Sequence, residues 1–206
     1  YSNTTASNNT AVGSNALLAN TTASNNVAIG CGALCANTTG EVNTAVGTAS
    51  MVTNTTGFGN TALGKNSLYT NNGNNNTAVG HEALELNTSG ASNVAVGRQA
   101  LEKNTTGQQN TAVGVNTMQC NTTGQYNSAF GFQAMNRITD SEGNTGIGYQ
   151  SLYTNTTGDA NTAVGRDALV SNTTASNNTA VGKDSLKANT TGAVNTAIGS
   201  QALFSN

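Results

Sequence analysis

Proline and tryptophan are absent from this 206-residue chain, aromatic residues make up 4% of it and charged residues only 8%. With so few large side chains it cannot fill a thick three-dimensional core, and the abundance of Asn, Thr and Gly points to a thin one. A formal charge of -2 leaves no basic footprint for nucleic acid. No apolar run is long enough to span a membrane, and the N-terminal residues lack the pattern of a signal peptide. The reading is a soluble, near-neutral surface, with neither a nucleic-acid partner nor membrane insertion. The three cysteines, Cys31, Cys35 and Cys120, are odd in number, which excludes a fully paired disulfide framework within the chain.

What is present is a repeated phrase, Asn-Thr-Ala-Val-Gly, two variable residues, Ala-Leu, two more, then Asn-Thr-Thr-Gly. It closes on Gly13, Gly30, Gly47, Gly64, Gly80, Gly97, Gly114, Gly131, Gly148, Gly165, Gly182 and Gly199, seventeen apart except for sixteen between Gly64 and Gly80. Low charge and polar composition also fit disorder, but disorder does not require Ala-Val-Gly in strict register. The expected fold class is all-β, a parallel β-solenoid or β-roll of about twelve 17-residue coils. Residues 1–206 read as a single repeat array, with irregular coils near 71–76 and 138–143 and no linker. Both ends fall inside a unit and carry no polar cap, so the array is expected to belong to something longer.

The columns of the repeat divide the labour. Asn9, Asn26, Asn43, Asn60, Asn76, Asn93, Asn110, Asn127, Asn144, Asn161, Asn178 and Asn195 stand four residues before each Gly. Stacked at strand spacing they form a structural ladder of side-chain amides. Alternation in the following strand puts Thr or Val and the next Val or Ile on one face, with Ala and Gly on the other. The apolar columns Val12 to Ile198 and Leu17 to Leu203 are expected inside, leaving the Ala and Gly face flat and free to meet a second copy. Beyond Gly, constrained places at zero, three, four and seven have helical spacing. Helices, however, pack about 8 to 10 Å apart against about 4.8 Å for strands. The Ala-Leu arm is therefore either an extended segment or a short helical turn. The charged residues gather at the first, second, fifth and sixth places after Gly and in the turn, which marks those columns as solvated. Asp140 alone departs from this division, in the degenerate turn Ile138–Gly143.

No constellation for chemistry emerges, so the expectation is no enzyme, no catalytic residue, no metal and no cofactor. His81 with Glu82 and Glu85 has the outline of a metalloprotease motif, but the second His is missing. Cys31 and Cys35 lack the further ligands of a zinc site. Cys120 lies five units beyond Cys35, roughly 24 Å away at about 4.8 Å per unit. Asp residues are too few for a calcium-binding nonapeptide array, and Gly30-Cys31-Gly32 has no phosphate-loop context. One recurrent pattern invites modification by another enzyme. Asn3, Asn20, Asn37, Asn54, Asn87, Asn104, Asn121, Asn155, Asn172 and Asn189 each begin an N-glycosylation acceptor pattern, alongside the plainer reading of a structural amide in a turn.

Asn43-Thr44-Ala45-Val46-Gly47 and Asn26-Val27-Ala28-Ile29-Gly30, followed three residues on by Ala or Ser, resemble the head repeat of trimeric autotransporter adhesins and the repetitive shafts of bacterial and phage tail-fibre-like proteins. That resemblance covers all the units and implies a parallel β-roll, self-association as a trimer, and surface molecules of a host as partners. The leading expectation is an extracellular structural fibre or stalk, at a cell or virion surface, self-associating as a trimer or end to end. An adhesin head binding glycans or matrix is the alternative, disfavoured by the scatter of Tyr69, Phe132, Tyr149 and Tyr153 along the sequence. Ice binding is third, because the two Thr of Asn-Thr-Thr, if extended, point to opposite faces.

Overall fold

The computed structural model describes residues 2–205. Each unit contributes one three-residue strand: β1 (Thr10–Val12), β2 (Val27–Ile29), β3 (Thr44–Val46), β4 (Thr61–Leu63), β5 (Thr77–Val79), β6 (Val94–Val96), β7 (Thr111–Val113), β8 (Ser128–Phe130), β9 (Thr145–Ile147), β10 (Thr162–Val164), β11 (Thr179–Val181) and β12 (Thr196–Ile198). They pair in chain order as one parallel sheet. Each residue faces its counterpart one unit on, as Thr44, Ala45 and Val46 face Thr61, Ala62 and Leu63. The fold is the parallel β-solenoid expected from the repeat, and no α-helix occurs among the described residues.

Two backbone bonds flank each interior strand. Thr44 N–H donates forward to Asn60 O, and Gly47 N–H donates back to Ile29 O, both at 2.8 Å. The shortened unit keeps this register, Thr61 facing Thr77, because a side chain replaces a lost carbonyl. Elsewhere one turn carbonyl gathers several donors, and Thr55 O takes Thr38 N–H, Thr39 N–H and the Thr38 hydroxyl. In the shortened unit Asn72 Oδ1 accepts the same three, from Thr55 N–H, the Thr55 hydroxyl and Thr56 N–H.

The strand faces are the reverse of the hydrophobic expectation. Ala28, Ala45, Ala62, Ala78, Ala95, Ala112, Ala129, Ala163 and Ala180 are fully buried, whereas Val12, Ile29, Leu63, Phe130, Ile147 and Ile198 are exposed. The reason is volume. Leu34, Met51, Leu68, Leu84, Leu101, Met118, Met135, Leu152, Leu169 and Leu186 all point inward and are completely buried. They take nearly all the room between the arm and the strand. At Gly146 a Cβ would lie 2.7 Å from Met135 Cγ, so even a methyl group is tightly fitted at that place. Valine there would overpack a thin interior. The Ala face is thus the floor of the core and is closed to a second copy. At the end of the Leu column, Leu203 is exposed, unlike the members within the array.

The arm is neither extended strand nor helix. It consists of two successive reverse turns, closed by Ala16 N–H to Gly13 O and by Asn20 N–H to Leu17 O. Between them Leu17 sits at φ 52, and Leu101 and Met135 do likewise. A left-handed conformation costs an L-residue about 1 to 2 kcal/mol, and burying a Leu side chain, at about 1.5 to 3 kcal/mol, offsets it. The arms also bond from coil to coil, Leu17 N–H to Ala33 O and Ala19 N–H to Cys35 O, both at 3.0 Å. They therefore stack at the strand spacing that a helix would break.

Candidate functional site

The expected amide ladder exists. Asn26 Oδ1 accepts Asn43 N–H at 2.9 Å, and Asn60 Nδ2 donates to Asn43 Oδ1 at 3.2 Å. Asn43 Nδ2 also donates to the turn carbonyl Gly57 O at 2.8 Å. A second, parallel ladder runs through the acceptor-pattern asparagines. Asn54 Nδ2 donates to Asn37 Oδ1 and to that same Gly57 O, each at 3.0 Å. Most such turns are clamped in this way by one Asn of their own coil and one of the coil before, as Gly90, Gly107 and Gly124 are.

This placement bears on modification. Asn20, Asn37, Asn54, Asn87, Asn104, Asn121, Asn155, Asn172 and Asn189 are all buried, whereas Asn3 is exposed. A glycan on any buried Nδ2 would displace bonds that hold the turn, so the folded coil withholds these amides. The signal for their structural role was in the sequence, as the nearly fixed Asn seven places after Gly.

The second ladder breaks once. Ile138 occupies the Asn place and is buried, and Asn121 Oδ1 has no hydrogen-bond partner. An unsatisfied buried acceptor costs about 1 to 3 kcal/mol. Ile138→Asn is expected to supply the missing donor and raise the melting temperature, by about 2 to 4 °C per kcal/mol gained. A melt at or below that of the unaltered chain would show that the apolar contacts of Ile138 outweigh the ladder.

Charge behaves as expected at the first place after Gly, where Lys65, His81, Arg98, Arg166 and Lys183 are exposed. The second and fifth places depart from expectation. Glu82, Glu85, Glu102, Asp167 and Lys187 are half-buried and Asp184 is buried, because stacking places unlike and like charges side by side. Lys187 Nζ lies 2.7 Å from Asp184 Oδ1, and Lys183 and Arg166 flank the same carboxylate. The Lys187 hydrogen bond, ahead of the other cations, holds the Asp184 carboxyl below its ordinary range. Any stability this lends is present above that range and lost as pH falls through the lowered value.

His81, Glu82 and Glu85 are joined by Glu102 of the next coil, the three carboxylates lying within 4.8 Å of one another. His81 Nδ1 is 3.4 Å from Glu82. Gln99 and Gln119 amides donate to Glu82 and Glu102, and Asn66 donates to Glu85. Burial first, then Glu82 and Glu102, pushes the Glu85 carboxyl up. A raised folded-state value means that ionised Glu85 opposes folding, increasingly as pH rises through that value. Glu85→Gln is expected to melt higher than the unaltered chain at pH 7, the difference vanishing below the ordinary carboxylate range. Equal melting at both pH values would contradict this.

The remaining surface features are apolar or small. Cys31, Cys35 and Cys120 are free thiols. A concavity at the first coil, lined by Asn3, Asn9, Ala11, Leu17 and Asn20, opens onto the core. Phe132 and Tyr149, distant in sequence, stack with ring centroids 5.7 Å apart and planes 8° from parallel. Phe130 and Ile147 lie exposed on the adjoining strands, so the outer columns do hold one local aromatic cluster. Arg137 lies over the Tyr153 ring at 5.4 Å. Comparison with known proteins finds no matching family model, no matching curated protein and no matching solved structure.

Proposed function

We propose that the chain is a segment of an extracellular structural fibre or stalk, in which coils are added along one axis to gain reach. The unbroken register of all twelve strands carries this reading. Every coil is bonded to its neighbours through the strand, the arm and the first asparagine ladder, and all but the Ile138 coil through the second as well, so rigidity is continuous along the axis. The resemblance to adhesin heads and tail-fibre shafts supports the same use, at a cell or virion surface, with copies assembled end to end.

Immunogold labelling of intact source cells or particles with antibody to this segment tests the reading. Gold aligned on surface filaments is expected, and label confined to the cell interior would refute it. An adhesin role is the second reading, favoured by the exposed cluster of Phe132 and Tyr149 with Phe130 and Ile147. Its test is glycan-array binding that disappears in Phe132→Ser/Tyr149→Ser; no binding by the unaltered chain would exclude it.

A further inference from the structure

Arm threonine hydroxyls such as Thr53 and Thr154 donate to carbonyls of the next coil, and two further sets, of the turns and of the strands, contrast. Those opening the Asn-Thr-Thr turns are consumed by the next coil, as Thr38, Thr105, Thr122 and Thr156 hydroxyls donate to Thr55 O, Thr122 O, Thr139 O and Thr173 O. The strand threonines, among them Thr44, Thr61, Thr111, Thr162 and Thr179, point out of the sheet. Among the described residues their hydroxyls make no protein hydrogen bond, although the Thr corners of nearly every coil do. Nine of the twelve strands begin with such a Thr, and the outward place two residues on is Val, Ile, Leu or Phe.

The two columns form a regular lattice. Thr and Val are alike in shape and stiff at χ1, so hydroxyl and methyl groups are held in place before anything binds. They repeat about every 4.8 Å along the axis, and the columns stand roughly 6.7 Å apart along the strand. Ladders of identical side chains favour flat sheets over twisted ones. No charged residue occurs in either column. Charges flank the two columns, with Lys65, His81, Arg98, Arg166 and Lys183 just beyond the strand-ending Gly and Glu41, Glu142 and Asp159 in the turn before the strand. The most regular stretch is β9 to β12, in which every strand begins with Thr and ends with Val or Ile.

We propose that this face binds ice. Both lattice repeats approach those of water oxygens in hexagonal ice. Free hydroxyls anchor water at fixed intervals, and the methyl groups order the water between them. Because the side chains are preordered, little further entropy is lost on contact with the crystal. An ionic or nucleic-acid partner would find no complementary charge in either column. A second copy is the competing occupant, but the two columns cover roughly 60 Å by about 10 Å, on the order of 600 Å² a side, short of the roughly 800 Å² of a standard interface. The objection that adjacent turn threonines diverge does not apply, since the outward lattice is made by the strand.

The test measures thermal hysteresis, and capture of protein in slowly grown ice, for the 206-residue chain. Thr162→Tyr/Thr179→Tyr places rings on the lattice, Thr111→Tyr repeats the change in a separate strand, and Thr157→Tyr makes the same substitution at an exposed turn. Circular dichroism checks folding and sedimentation checks oligomeric state. Hysteresis and capture are expected for the unaltered chain and Thr157→Tyr, with loss in both lattice variants at unchanged melting. Exclusion of the unaltered chain from ice without hysteresis would overturn the proposal. So would retention of activity by folded lattice variants, or a dimer that the lattice substitutions dissociate.

Discussion

Replacing Gly114 with valine is expected to disrupt its coil and lower stability by about 2 to 6 kcal/mol, the sum of backbone strain and overpacking. Gly114 lies at φ 138, where L side chains are strained. A Cβ there would overlap the carbonyl oxygen of Gly131 and lie 2.7 Å from its carbonyl carbon. The neighbouring backbone cannot retreat, because Gly131 N–H is bonded to Val113 O at 2.8 Å. Arg98→Val is the matched control, since Arg98 is exposed and such changes usually stay within about 0.5 kcal/mol. Gln99, though in a charged column, is a poor comparator: it sits at φ 57 and its amide holds Glu82. Equal thermal melts for Gly114→Val and Arg98→Val would show that the Gly column is not conformationally required.

Asn110→Ala is expected to cost a comparable amount by a different route. Asn110 Nδ2 donates to Gly124 O at 2.8 Å and to Asn93 Oδ1 at 3.2 Å. Its Oδ1 accepts from Asn127 N–H at 3.0 Å and Asn127 Nδ2 at 3.2 Å. Alanine leaves several buried groups short of partners at about 1 to 3 kcal/mol each, so a loss of about 3 kcal/mol or more is expected. Asn110→Asp keeps the shape and the acceptors but removes the donors, and buries a carboxyl. Chemical denaturation should rank Asp between Ala and Asn at acid pH and bring it towards Ala at neutral pH, where ionisation opposes burial. A denaturation midpoint for Asn110→Ala matching that of the unaltered chain would mean the ladder contributes nothing measurable.

Much of the fold was legible because repetition turns each position into a column. The seventeen-residue period, the strand at Asn-Thr-Ala-Val-Gly, the Asn ladder and the buried Leu column all follow from it. The strand face was misassigned because alternation separates residues into two sets without saying which set is inside. Hydrophobicity favours Val, whereas the space left by Leu and Met admits nothing larger than Ala, and at Gly146, against Met135, not even that without a shift. The arm resembled a helix because two consecutive turns closing from zero to three and from four to seven, at Gly13–Ala16 and Leu17–Asn20, constrain the same places as a helical face. Asn-Thr-Thr satisfies a glycosylation pattern and a turn clamp equally well, and only burial distinguishes them. The proximity of Phe132 to Tyr149 and of Glu102 to Glu85 arises from stacking, which linear spacing conceals until the columns are overlaid.

The most direct test of the stacked-coil rod is a spin-label distance measurement between cysteines introduced at Lys65 and Lys183, with Cys31, Cys35 and Cys120 changed to serine. Both lysines are exposed and occupy the same column seven coils apart. Coils rising about 4.8 Å each place the backbone sites roughly 34 Å apart. A single narrow distribution near that value is the expected result. A broad distribution, or one centred far from that value, would contradict a rigid solenoid of stacked coils.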